Sequence, residues 1–243
     1  MSLEENESPE IEESEDLQTE VEDSEENTSI NPDQFDQESK INPVNFKANF
    51  SQTDLSFIAG KRRSGKTNLI IYLIELFTSL GANIIIVDPV WDIGQALQKL
   101  HGKKDPRIVN IGYQDRAKFN IFLRNLFKKK WKGILIIDEA DGFFPNKKGL
   151  SSVEKFFIHI GRHYGVGGIC VTRRMANMNT DIATQANKMI IFKHWHRADL
   201  DYLSQSGIVE EIPIIRKLSK HHFQFLDIDG EVSATCKPVQ KML

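Results

Sequence analysis

LSFIAGKRRSGKTNLIIYLIELFTSL, residues 55–80, decides how the rest of this sequence is read. Leu55 to Ala59 is a short apolar run closing on Gly60, the pattern of a buried strand that ends in a turn. From Lys66 the apolar residues Leu69, Ile70, Leu73, Ile74, Phe77 and Leu80 recur at helical spacing, and Gly81 stops the helix. Between strand and helix stands GKRRSGKT, residues 60–67, which fits GxxxxGK[ST]. Each fixed position has a chemical reason. Gly60 and Gly65 leave backbone N–H groups unobstructed, Lys66 reaches the β and γ phosphates, and Thr67 ligates Mg²⁺. The helix N-terminus adds its positive end. The sequence therefore predicts an ATP-phosphate cradle made of Gly60, Lys61, Arg62, Arg63, Ser64, Gly65, Lys66, Thr67 and Asn68. Arg62 and Arg63 keep two readings, as phosphate or neighbour contacts and as solvated side chains.

Outward from this unit, short apolar runs alternate with helical stretches. NIIIVDP (83–89), RIVNIG (107–112), GILIIDEA (133–140), GGICVT (167–172) and KMIIFKH (188–194) read as strands. Ile93–Leu100, Asp115–Lys130, Ser152–Tyr164, Asp181–Ala186, Ala198–Ser206 and Val209–Leu218 read as helices, and HHFQFLDIDGEVSATCK (221–237) as a terminal hairpin around Asp229-Gly230. The alternation predicts an α/β fold, a doubly wound, mainly parallel sheet of the P-loop NTPase (RecA-like, ASCE) type with helices on both faces and a C-terminal β-hairpin. Ligands in such sheets sit beyond the carboxyl ends of the strands. There, after the aliphatic run of residues 134–137, stand Asp138 and Glu139. Asp138 is predicted to hold Mg²⁺ through water, and Glu139 to polarise the attacking water of a hydrolytic ATPase.

Charge divides the chain. Residues 1–45 hold sixteen Asp and Glu against one basic residue, Lys40, a balance of −15, while the remainder carries +12; together they give the net −3. The first segment has scattered single apolar residues and Phe35 as its one aromatic, so a disordered acidic tail (1–45) ahead of an ATPase domain (46–243) is expected. It lacks the basic start and apolar run of a secretory signal and the Arg-rich character of a transit peptide. No later run reaches the roughly 18 apolar residues of a membrane span, which predicts a soluble, cytoplasmic protein. Cys170 and Cys236 show no metal or disulfide spacing, and His194, His196, His221 and His222 lack supporting ligands, so neither structural zinc nor disulfides are expected.

GRHYGVGGICVTRRM (161–175) adds a helix end, a turn, an apolar strand and Thr172-Arg173-Arg174. With the phosphate loop, the DEA strand and DIATQANKMIIFKH (181–194), it resembles the FtsK–HerA superfamily of DNA-pumping ATPases. Short length, YQDRAK (113–118) and the closing hairpin are most similar to the branch that packages the genomes of membrane-containing icosahedral viruses. The resemblance covers roughly residues 52–238. It implies that Arg162 is an arginine finger reaching a neighbouring subunit's nucleotide, with an exposed helix-end residue as the alternative. It also implies sensor roles for Thr172 and Arg173, although Arg173 stands where the family usually has glutamine, an amide that orients water. Arg174 matches the family's following arginine.

The expected activity is ATP hydrolysis coupled to translocation of double-stranded DNA without sequence readout, by a homo-oligomeric ring packaging a viral genome. A capsid or portal-vertex protein is a further expected partner, and the packaging vertex a further location. FKKKWKG (127–133) and Asn146-Lys147-Lys148-Gly149 are the candidate phosphate-contacting segments, each also readable as a solvated basic face. Two alternatives stay open: a related motor for conjugation, DNA-end processing or phage extrusion, and a low-turnover nucleotide switch.

Overall fold

The computed structural model of the protein describes residues 50–113, 115–194, 196–229, 231–239 and 242. The expected acidic tail, residues 1–45, lies outside the described residues, as do Gln114 and Gly230 of the two motifs noted above.

Strand β1 (Leu55–Ala59) runs through the phosphate loop into helix α1 (Lys66–Ser79), followed by β2 (Ile84–Val87), α2 (Asp92–His101) and β3 (Ile108–Val109). Helix α3 (Arg116–Lys128) leads to β4 (Gly133–Ile137), α4 (Ser152–Ile160) to β5 (Val166–Thr172), and α5 (Thr180–Gln185) to β6 (Lys188–Phe192). Helices α6 (Arg197–Gln205) and α7 (Ile212–Lys217) precede the hairpin of β7 (Phe223–Asp227) and β8 (Val232–Cys236). The sheet order is β3-β2-β4-β5-β1-β6-β7-β8, parallel through β6 and antiparallel at β7 and β8.

Strand residues point alternately to the two faces, and two apolar cores follow. Ile58, Ile86, Ile136 and Val171 pack with Leu69, Leu73 and Phe77 of α1 and Ile93 and Leu97 of α2. Phe57, Val87, Leu135 and Cys170 pack on the other face with Phe119 of α3, Phe157 of α4, Ile182 of α5 and Leu203 of α6. The expected doubly wound arrangement, with helices on both faces, is what forms. Both cysteines are buried free thiols. Among the described residues no helix is long and apolar enough to cross a membrane.

Three elements are clearly shorter than the sequence suggests, among them the helix expected over Val209–Leu218, which forms only over Ile212–Lys217. β3 keeps two residues because it is an edge strand, paired on one side with β2. The helix expected to reach Tyr164 stops at Ile160 and tightens into a 3₁₀ turn, Gly161–Tyr164. A single residue, Gly165, then separates that turn from β5, so the chain must reverse at once.

Candidate active site

The loop at residues 60–67 leaves the carboxyl end of β1, the central strand between β5 and β6. The Gly60 N–H donates to the Thr172 carbonyl at 3.2 Å, anchoring the loop to the end of β5. A Cβ at Gly60 would lie 2.5 Å from Ser64 Oγ and 2.9 Å from Phe192 Cβ, so no larger residue fits the turn. Gly65 holds φ 109°, a left-handed conformation open to glycine. It caps α1 without a side-chain hydrogen bond, and no acidic residue occupies the first turn. The helix N-terminus is thus left with N–H groups and a positive dipole for an anion.

Lys66 is buried, and its Nζ donates to the Gly60 carbonyl and, at 3.0 Å, to the Lys61 carbonyl. Ser64 Oγ is buried without a hydrogen-bond partner. Arg62 and Arg63 are exposed at the loop tip, and Thr67 and Asn68 are half-buried on the first turn of α1. Asn68 Oδ1 accepts from the Met242 N–H at 2.8 Å.

β4 lies one strand beyond β5, and its end delivers Asp138 and Glu139, both mostly buried. Glu139 takes φ 47°, the left-handed region, before a 3₁₀ turn at Ala140–Gly142. Arg63, Trp91 and His221 also carry positive φ. Non-glycine residues rarely hold this conformation, and they collect at functional sites where the surroundings impose it.

Glu139 Oε1 accepts from Arg173 Nε at 2.5 Å, and Arg173 Nη2 also reaches Asp92 Oδ2 at 3.4 Å. Arg173 is therefore brought to the carboxylate that the sequence analysis expects to polarise water. Thr172 is buried, and its hydroxyl donates to Asp141 Oδ1 at 2.9 Å while accepting from the Arg174 N–H at 3.1 Å. Arg174 pairs through Nε with the buried Asp199 at 3.3 Å. The triplet at the end of β5 thus splits into a brace, an arm on the glutamate and an anchor.

Sequence reasoning missed two parts of this centre. Asp88, at the end of β2, is fully buried, accepts from the Gly94 N–H at 2.8 Å through Oδ2 and leaves Oδ1 without a partner. Its place directly after an aliphatic strand, like that of Asp138, was the available signal. YQDRAK also acts structurally. Tyr113 donates to Asp141 at 3.2 Å, Asp115 caps α3, and Arg116 makes a two-pronged pair with the buried Glu154, its Nε at 2.6 Å.

Electrostatics set the acids apart. Burial, then Glu139 and Asp88, push Asp138 up to about 7, against the pull of Lys66. Burial also raises Glu139, against Arg173, and raises Asp88. Lys66 is brought down to about 8 by burial, opposed by Asp138 and Glu139. Among the described residues no three acidic or imidazole side chains converge to hold a metal ion by themselves. The oxygen donors here are Thr67, Asp138 and the orphaned Asp88 oxygen, ligands of the kind a hard cation such as Mg²⁺ takes alongside substrate phosphates.

Arg162 stands apart. It is exposed on the turn before β5, at the amino end of the strands, whereas the phosphate loop follows their carboxyl end. There it joins Lys128, Lys130, Trp131 and Tyr164 around a groove of about 580 Å³, so the FKKKWKG segment and Arg162 share one face. Lys147 and Lys148 are exposed beyond the carboxyl end of β4, and Asn146 ties their loop to the Ala176 carbonyl at 3.1 Å. The two basic segments thus occupy opposite ends of the sheet.

The family model described as zonular occludens toxin (Zot) matches residues 54–198. No curated protein matches the chain. Among solved structures, the chain is similar to the genome packaging NTPase B204 from Sulfolobus turreted icosahedral virus 2 in complex with sulfate. Identity is 23%, the TM-score 0.69, and the match covers 79% of this chain and 99% of that one. The same NTPase in complex with AMPPCP is 25% identical, with a TM-score of 0.67 over 78% of this chain and 100% of that one. VirB4 of Thermoanaerobacter pseudethanolicus is 9% identical, with a TM-score of 0.55 over 76% of this chain and 89% of that one. The resemblance to FtsK–HerA-type ATPases, and to their genome-packaging branch, holds.

Proposed function

The chain belongs to the zonular occludens toxin (Zot) family, and from that premise we propose that it is an ATP-hydrolysing motor for double-stranded DNA. It acts as a homo-oligomeric ring that packages a viral genome into a preformed capsid. The observation that carries this reading is the convergence of the phosphate loop, Asp138–Glu139 and Arg173 at the carboxyl ends of adjacent strands. The packaging task is carried over from B204, itself a genome packaging NTPase.

On this reading Lys66 leaves the carbonyls of Gly60 and Lys61 for the β and γ phosphates, which replace them as partners. Its buried ammonium then meets charge that only the nucleotide supplies in full. Thr67, and Asp138 through water, would hold Mg²⁺, which when bound would neutralise negative charge developing on the phosphates. Glu139 orients and polarises the attacking water once Arg173 releases it. Arg173 is then free to stabilise the γ-phosphate. Thr172 keeps that arm in register through Asp141. Arg162, at the far end of its own sheet, serves a neighbouring subunit's nucleotide, as an arginine finger supplied in trans does. The exposed lysines of residues 128–132 and 147–148 hold DNA by its phosphates.

Displacement of a third strand from a duplex carrying a triplex block tests the motor directly. ATP-dependent release supports translocation, and hydrolysis without release points elsewhere. The Arg173–Glu139 pair favours one second reading, a switch that binds ATP with little turnover, because the glutamate is occupied at rest.

A further inference from the structure

The groove of about 580 Å³ at the amino ends of the strands holds aromatic rings that contact with phosphates leaves without a use. It lies between the end of α3 and the 3₁₀ turn before β5. Lys128, Lys130 and Lys132 line it, and among the described residues no carboxylate does. Trp131 enters the lining from the segment after α3, and Tyr164 from the 3₁₀ turn.

Both rings are backed by the fold. Tyr164 lies 5.0 Å from the Phe156 ring and 6.4 Å from the Phe127 ring, which themselves pack edge to face at 4.8 Å. A Cβ at Gly133 would lie 2.8 Å from Trp131 Cζ2, so the indole rests on that glycine. Tyr164 is nevertheless 55% exposed, and Trp131 is half-buried. Lys130 holds φ 52°, the left-handed region that non-glycine residues rarely adopt and that collects at functional sites. A merely solvated basic face requires neither the rings nor the strained lysine.

The two kinds of side chain together select the ligand. Lysines accept any chain of phosphates, whereas exposed rings gain when a flat partner covers them. A duplex hides its base faces in its own stack and offers this groove phosphates alone. An unpaired strand offers both, phosphates to the lysines and base faces to the rings. An acidic peptide would match the lysines and leave the rings uncovered. Arg162 also borders a separate recess with Thr53, His159 and Asn187, so it remains available to a neighbour on that side.

We propose that this groove is a binding site for single-stranded DNA, with bases stacked on Tyr164 and Trp131 and phosphates along Lys128, Lys130 and Lys132. The proposal rests on the DNA-holding role given above to residues 128–132 and extends it to the unpaired strand that a frayed or gapped duplex exposes.

Fluorescence anisotropy with labelled probes of equal length tests it: oligothymidylate, an abasic deoxyribose-phosphate strand and a duplex. The wild type should bind oligothymidylate at least about tenfold more tightly than the abasic strand, the scale of stacking one base. Tyr164→Ala should erase most of that margin and leave the abasic strand and the duplex within about twofold of the wild type. Tyr164→Phe, which keeps the ring, should bind oligothymidylate as the wild type does; a loss equal to that of the alanine variant overturns stacking. Equal binding of oligothymidylate and the abasic strand by the wild type, or an alanine variant that weakens every probe alike or none, overturns the site and leaves duplex binding standing. Displacement of oligothymidylate by poly-glutamate at equal charge also overturns it, since the groove would then read charge alone. Binding of no probe by the wild type overturns the DNA reading, and the site with it. Photocrosslinking of the unmutated protein to oligo-5-iododeoxyuridine gives an independent reading. Adducts on Trp131 or Tyr164 support the proposal, and adducts confined to residues 145–149, at the opposite end of the sheet, contradict it.

Discussion

Arg173 Nε lies 2.5 Å from Glu139 Oε1, so the carboxylate expected to polarise water is already engaged by a cation from the neighbouring strand. Burial raises Glu139, and Arg173 is the largest influence opposing that rise. The residue that departs from the family's usual glutamine is thus the one paired with Glu139. On the proposed reading ATP would offer Arg173 a more highly charged partner, and the exchange would couple nucleotide arrival to release of the glutamate.

Replacing the arm tests that exchange. Arg173→Gln removes the ion pair and restores an amide able to orient water. A partly exposed pair of this kind is worth about 1 kcal/mol. DNA-independent hydrolysis should therefore rise a few-fold, and the ratio of DNA-stimulated to basal rate should shrink. Steady-state rates with and without duplex DNA check both.

Glu139→Gln separates binding from chemistry. It keeps the shape of the side chain and loses the negative charge that polarises water. Nucleotide binding should survive while turnover falls by at least about 100-fold, the scale of losing one well-placed polar group in an active site. Filter binding and single-turnover hydrolysis on one preparation measure the two quantities.

Arg162 is tested by mixing. If it serves a neighbour's nucleotide, Arg162→Ala and Glu139→Gln are each inactive for different reasons. Combined subunits should recover hydrolysis, because an intact Glu139 site can meet an intact Arg162 across an interface. No recovery at any mixing ratio counts against the trans role.

Much of this centre was legible in the sequence because its parts are local. Gly60 to Thr67 form one loop, and Asp138 and Glu139 directly follow an aliphatic strand. Alternating apolar runs and helices pointed to the doubly wound sheet, since burial on both faces leaves few polar positions within the strands. What escaped was contact between distant segments. Nothing near Arg173 in the sequence indicates Glu139, and nothing near Asn68 indicates Met242. Asp88 also directly follows an aliphatic strand, yet its place beside Asp138 depends on β2 pairing with β4. YQDRAK was noticed as a motif, yet its work is done by Glu154 and Asp141, which lie far along the chain.

The Arg116–Glu154 pair supplies a stability prediction. Glu154 is fully buried, so removing its partner strands a charge. Arg116→Ala should cost about 3 kcal/mol of unfolding free energy. Arg116→Ala combined with Glu154→Gln should recover part of that loss. Urea denaturation of the three proteins checks the cycle.

His194 supplies the pH dependence. It is fully buried, and burial holds its pKa below the ordinary histidine value. The unfolded chain therefore takes up its proton first as pH falls, and stability is lost below about 6.5. Asp138, raised to about 7, works the other way over the same range, so the difference between two proteins is the informative quantity. Between pH 7 and 5.5 the Tm of the wild type should fall further, relative to its own value at pH 7, than that of His194→Gln.

Whether a phosphate loop and an arginine-held glutamate drive a DNA motor is decided by ATP hydrolysis, measured with and without duplex DNA on a sample of known oligomeric state. A motor of this design is a homo-oligomer whose rate rises several-fold with duplex DNA and disappears in Lys66→Ala. A monomer that hydrolyses ATP at the same rate with and without DNA would refute it.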